Sequence, residues 1–209
     1  MEYRALSPAN CKGMTLIESL VAMAIGILAL SLMVSTFLSG TQTAVRVTDG
    51  SYFFHEFYDV SRFILDDIRR AGYAIKGTRE GQVKWAGAAS ELEILESGQC
   101  IAYAYEFEDS GVEKVRYSTV FYFADDKAIR LYTLEKKIHD ISIPIPNVTE
   151  ACGKGVNKSG EAITDSNSMT VTSLYFDGSA SPLYDVVIQA QSQFDGHDEQ
   201  MAFKVHRMN

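Results

Sequence analysis

The sequence predicts an α+β fold: a long N-terminal helix whose first half is apolar enough for lipid, packed on an antiparallel β-sheet domain. Three observations carry this. No charged residue occurs from Ser19 to Val45. The following stretch, Thr41 to Gly72, lacks proline and repeats apolar residues at helical spacing. Beyond residue 73 the repeat shortens to the period of two that marks strands.

Leu20 to Leu38 is apolar apart from Gly, Ser and Thr, close to the ~20 residues that cross a bilayer. A secretory signal has a shorter apolar core, of about 7–15 residues, followed by a small-residue cleavage site. No convincing A-x-A follows this one. A lipoprotein reading fails because Cys11 precedes the apolar run instead of following it. Arg4 and Lys12 lie on the N-terminal side, which favours that end in the cytoplasm and the remainder beyond the membrane. Glu18 does not suit a plain anchor. A carboxylate within hydrocarbon costs at least ~2.5 kcal/mol on insertion scales, so it calls for a partner.

In the second half of the helix, Phe54, Phe57, Ser61, Ile64 and Ile68 mark one face, flanked by Phe53, Val60 and Phe63. This face is expected to meet the sheet. Glu56, Asp59, Asp66, Asp67, Arg69 and Arg70 are assigned to the solvated or subunit-facing side. Gly26, Gly40 and Gly50 are candidate bends, because glycine weakens a helix by ~1 kcal/mol relative to alanine. Gly72 is the expected C-cap, with Arg69 and Arg70 suited to the negative end of the helix dipole.

Downstream, Ile101, Tyr103, Tyr105 and Phe107 alternate with smaller or polar neighbours. Val115, Tyr117, Thr119, Phe121 and Phe123 do the same, and Ile129 with Leu131 suggests a third, short strand. Pro144 and Pro146 exclude a central strand nearby. Met169–Phe176, Tyr184–Gln193 and Met201–His206 complete the strand set, and 153–168 reads as a polar surface loop. Cys100 and Cys152 are an even pair in what reads as an exported domain. A disulfide between them is expected, worth roughly 4 kcal/mol for a loop of about 50 residues; the alternative is two separate buried thiols.

The net charge of −8 and the absence of a basic stripe argue against direct nucleic-acid binding. His55, His139 and His197 each adjoin a carboxylate, yet neighbours on a strand point to opposite faces and make poor catalytic pairs. No H-E-x-x-H, paired C-x-x-C or G-x-S-x-G occurs. The Gly153–Gly160 stretch has the wrong spacing for a phosphate loop, and Asp195–Glu199 lacks the EF-hand ligand order and reads as a hairpin turn. No catalytic residue, metal site or cofactor is expected.

Lys12-Gly13-Met14-Thr15-Leu16-Ile17-Glu18, running directly into the apolar stretch, resembles the processing site of the type IV prepilin family. The resemblance implies cleavage between Gly13 and Met14 by a membrane aspartic peptidase and N-methylation of Met14. Met14 departs conservatively from the Phe most frequent at that position. It also implies that Glu18, fifth in the mature chain, pairs with the new amine of a neighbouring subunit, a pair stronger in low dielectric than in water.

Phe63-Ile64-Leu65-Asp66-Asp67-Ile68-Arg69-Arg70-Ala71-Gly72-Tyr73 further resembles the helix end of PilW-type minor pilins. The implied architecture is the pilin fold, with a leader over 1–13, a membrane and filament-core half-helix over 14–40, an amphipathic half-helix over 41–73 and a β-sheet domain over 74–209. The implied role is a non-enzymatic minor pilin for type IV pilus assembly. Its partners would be prepilin peptidase, other minor and major pilins, the inner-membrane assembly platform and membrane lipid. The chain would sit in the inner membrane with a periplasmic C-terminal domain and later join the cell-surface pilus. A minor pseudopilin of type II secretion is the near alternative, and a membrane-anchored periplasmic enzyme or binding module the distant one.

Overall fold

A computed structural model describes residues 14–75, 82–138, 144–152 and 160–206. Helix α1 spans Leu16–Ile68, 53 residues, and continues through Gly26, Gly40 and Gly50, where bends were expected. A side chain at any of these glycines would meet nothing within 4 Å. Two compact units divide within the helix, Met1–Val47 and Thr48–Asn209.

In the second unit α1 buries Phe53, Phe57, Val60, Ser61, Ile64 and Ile68. The buried stripe therefore centres on Phe53, and Phe54 stays 39% exposed, one residue and about 100° around the helix from the expected line. Phe63 is likewise 42% exposed. The Phe53 and Phe57 rings stack with centroids 6.0 Å apart. Each large apolar side chain buried here contributes about 1.5–3 kcal/mol. Ser61 fits this face because its hydroxyl donates to the Phe57 carbonyl at 2.7 Å.

α1 ends at Ile68, slightly before the expected cap. Gly72 has a positive φ of 79°, and its N–H donates to the carbonyl of Ala104 at 2.7 Å instead of to a carbonyl of the helix. Tyr73 then accepts from the Glu106 amide at 2.8 Å. The glycine thus turns the chain directly onto a strand, where a side chain with Cβ would be strained.

The strands form two antiparallel sheets, where the sequence reading expected one. The first has the order β1 (Leu92–Leu95), β2 (Cys100–Asp109), β3 (Val112–Phe123), β4 (Ala128–Lys137) and β5 (Glu161–Ala162). The second contains β6 (Met169–Asp177), β7 (Leu183–Ser192) and β8 (Asp198–His206). Residues 144–147, which include both prolines of that stretch, carry no strand, as expected. β4 extends well beyond the short strand expected around Ile129 and Leu131, and β1 was not foreseen. In β7, Tyr184, Val186, Ile188 and Ala190 alternate inward, joining Val171, Leu174 and Phe176 of β6 and the α1 stripe in one core.

β2 is buried on both faces. Ile101, Tyr103 and Tyr105 belong to the main core. Ala102 and Ala104 face a second cluster built on Val83, Trp85, Val148 and Ala151. Small residues on that side leave space for the Trp85 indole, whose Nε1 donates to the carbonyls of Tyr103 at 3.1 Å and Ser118 at 3.3 Å. The short helix α2 (Val148–Ala151) covers the same cluster and is capped by Asn147, which accepts from the Thr149 amide at 3.0 Å. A Cys100–Cys152 disulfide fastens α2 to the start of β2, across a sequence separation of 52.

The expected polar loop is only partly exposed. Gly153–Ser159 lie outside the described residues, as do His139 and Asp140. After them Thr164 and Ser168 are buried, and the Thr164 hydroxyl accepts from the Ile129 amide at 3.1 Å. The sequence reading missed these anchors because small hydroxyl residues look the same in a loop as in a buried hydrogen-bonded turn.

Candidate functional site

The first unit begins with an interaction that the residues Thr15-Leu16-Ile17-Glu18 encode locally. Thr15 sits one residue ahead of α1, and its hydroxyl oxygen accepts from the Glu18 amide at 3.3 Å. In return Glu18 Oε2 accepts from the Thr15 amide and the Thr15 hydroxyl, both at 3.2 Å. This is a capping box, S/T-x-x-E, in which two amides that the helix cannot satisfy are paired reciprocally. The carboxylate also stands at the positive end of the helix dipole. Glu18 therefore has a partner within its own chain, which the sequence reading had sought only in a neighbour. The T-x-x-E spacing was the available signal.

Beyond Glu18 the helix is long and apolar enough to cross a membrane. Several of its hydroxyl residues close their hydrogen bonds internally. Ser31 donates to the Ile27 carbonyl at 2.8 Å, Thr36 to that of Met33 at 2.9 Å, and Thr43 to that of Ser39 at 3.0 Å. Polar groups satisfied within the helix do not require water, which is the condition for backbone in lipid. Met14 is described and exposed, while Gly13 and the expected 1–13 leader lie outside the described residues.

Two family comparisons match. The prokaryotic N-terminal methylation motif covers residues 8–34, a span containing Gly13, Met14 and Glu18. The family described as prepilin peptidase-dependent protein B covers residues 51–206. The chain belongs to that family. It is a type IV pilin-like protein, with a pilin or pseudopilin type of function. No curated protein and no solved structure matches it.

In this family member a second polar site locks the end of α1 to the first sheet. Asp67, expected on the solvated side, is only 7% exposed. Its carboxylate accepts from the Tyr103 hydroxyl at 2.6 Å and the Tyr105 hydroxyl at 2.7 Å. The Tyr105 oxygen in turn accepts from Arg116 Nη1 at 3.1 Å, and Arg116 Nε donates to Glu135 at 2.8 Å. Burial first, and then the charge and hydrogen bond of Asp67, push both phenol pKa values above the ordinary tyrosine range. Both phenols therefore stay protonated as donors. Tyr105 links a cation to an anion through one oxygen, and Arg70 and Arg116 each lie 5.9 Å from its ring centroid.

Glu56 is a second member of the expected solvated side that is turned to structural use. It accepts from the Asp165 amide at 2.5 Å and from the Ser168 hydroxyl, fastening the turn before β6 to α1. The histidines are dispersed. His55 is exposed on α1, and His197 lies in the β7–β8 turn, 3.5 Å from Glu199. Among the described residues no group of three or more His, Cys, Asp or Glu side chains could hold a metal ion.

Proposed function

We propose that this chain is a PilW-like minor pilin, a non-enzymatic subunit that takes part in priming or assembling a type IV pilus. Cleavage follows Gly13, the new Met14 amine is methylated, and Glu18 docks against the amine of a neighbouring subunit. The observation that carries the proposal is the Thr15–Glu18 capping box at the head of a helix that is uncharged from Ser19 to Val45, inside the matched methylation motif. The box holds the carboxylate against Thr15, the residue after the future terminus, at the exposed head of the helix. Prepilin peptidase, other pilins, the assembly platform and lipid are the partners this role requires. Before assembly the subunit would rest in the inner membrane with its C-terminal domain in the periplasm.

Glu18 substitutions separate docking from capping. Gln at the same position keeps a capping box but removes the charge, whereas Ala removes both and costs the helix start about 1 kcal/mol. Both Glu18→Gln and Glu18→Ala should be cleaved normally and fail to enter filaments, as read by immunoblots of sheared pili. Normal incorporation of Glu18→Gln would reduce Glu18 to a cap and refute docking. Mass spectrometry of membrane-extracted chain should find N-methyl-Met14 first, and an intact Met1 in cells possessing the peptidase would refute the processing step.

A further inference from the structure

An open cleft of about 520 Å³ lies where β1 meets the turn between β6 and β7, within the ~300–1,000 Å³ range of small-ligand sites. Its central feature is Tyr175. This residue occupies the outward position between buried Leu174 and Phe176 on β6, and it remains 47% exposed. Its ring is fixed from behind by Gly98, whose φ is +93° and where a Cβ would come within 2.4 Å of Tyr175 Cε2. Gly178 is less tightly packed, since a Cβ there would stand 3.0 Å from Ile94 Cδ1 and 3.2 Å from Tyr184 Cε1. At Gly98 the close packing and the positive φ are ones that glycine alone permits.

Its polar groups are hydroxyls and carboxylates. Asp177 Oδ1 is held by the Ser179 amide at 2.8 Å, and Glu93 Oε2 by the Ala89 amide at 3.0 Å. Each carboxylate is thereby oriented through one oxygen and keeps a second for a ligand. The Ser181 hydroxyl and the Tyr184 phenol lie 3.4 Å apart on the same wall. Among the described residues no Lys, Arg or His lines the cleft, so phosphate, sulfate and carboxylated ligands meet negative charge from Asp177 and Glu93. A ligand suited to this lining has an apolar face for the Tyr175 ring and several neutral donors around its edge.

We propose that this cleft binds a neutral pyranose unit of a saccharide. Tyr175 stacks on the apolar face of the sugar ring, and Asp177 and Glu93 accept from its hydroxyls. This activity is independent of filament assembly and does not need Glu18.

The test uses the full chain in micelles of a zwitterionic detergent without a sugar headgroup. Saturation-transfer NMR and titration calorimetry are run with methyl glycosides of glucose, galactose and mannose. At least one should bind, with affinity about tenfold weaker in both Tyr175→Ala and Asp177→Asn and nearly unchanged in Tyr175→Phe. Trp85 emission verifies folding, and Asp177→Asn decides the matter where Tyr175→Ala does not fold. Binding by none of the three glycosides would overturn the proposal, as would unchanged affinity in Asp177→Asn. Tighter binding of glucose 6-phosphate or an N-acetyl-lysine methylamide control than of every glycoside would overturn the assigned ligand class.

Discussion

Asp67→Ala is the most informative single change in the folded domain. It removes the acceptor of two buried phenols, whose hydrogen bonds measure 2.6 and 2.7 Å. A bond to a charged group is worth about 1.5–3 kcal/mol, and a buried donor left without its acceptor carries its full desolvation cost. The two phenols and the lost helix-to-sheet tie together give an expected destabilisation of about 3–5 kcal/mol. Asp67→Asn keeps an acceptor oxygen and loses the charge, so it should cost about half as much. The assay is urea unfolding of the full chain in detergent, followed by emission from Trp85, the single tryptophan, which donates to the Tyr103 carbonyl in the same strand. A double-mutant cycle with Tyr103→Phe should give a coupling of 1 kcal/mol or more, on the order expected for residues sharing a network. Additive effects within about 0.5 kcal/mol, or an Asp67→Ala protein as stable as its parent, would refute the claim that Asp67 fastens α1 to β2.

Because the phenols of Tyr103 and Tyr105 titrate above the ordinary value of 10.0, the unfolded chain releases their protons first as pH rises. Their contribution should be complete below about pH 10 and fall progressively above it, and the Tyr103→Phe/Tyr105→Phe protein should show a shallower alkaline loss in unfolding titrations. Cys100→Ser with Cys152→Ser opens the 52-residue loop. It should lower stability by roughly 4 kcal/mol, and the same two serines should abolish the sensitivity of the parent's unfolding midpoint to reductant.

The helix, its apolar half and the longer strands were legible because their periodicity spans many residues. β2 was clear from the alternation of Ile101, Tyr103, Tyr105 and Phe107. The facing of α1 was less so, because Phe53 and Phe54 are adjacent aromatics and a line drawn through either one reaches Phe57, Ile64 and Ile68. The structure decides for Phe53 since Phe54 turns toward the β7–β8 hairpin, where its ring lies 6.1 Å from that of His197. Asp67 was misplaced for a related reason. It follows Asp66 in an acidic pair, and only the two tyrosines on one face of β2, 36 and 38 residues away, make it an inward residue. Long-range pairing of that kind leaves no local mark. The separation into two sheets depends in the same way on pairing partners, which strand patterns do not specify.

Glu18 shows the reverse relation, in which a local rule changes the meaning of a family signature. A bare carboxylate near hydrocarbon would be costly in every unassembled subunit, and docking would be driven largely by relief of that cost. The capping box removes much of this difference, because the Thr15 amide and hydroxyl already satisfy Glu18 Oε2. If a neighbour's amine docks, it gains a charge pair and gives up none of these bonds only when it approaches the carboxylate oxygen that the box leaves open. The geometry therefore favours a three-part arrangement of Thr15, Glu18 and amine over a simple exchange of partners. Thr15→Ala should then weaken incorporation even though it leaves both charges in place. Wild-type incorporation of Thr15→Ala, measured beside Glu18→Gln in the same sheared-pilus preparation, would show that the orientation of the carboxylate is immaterial and that charge alone selects the partner.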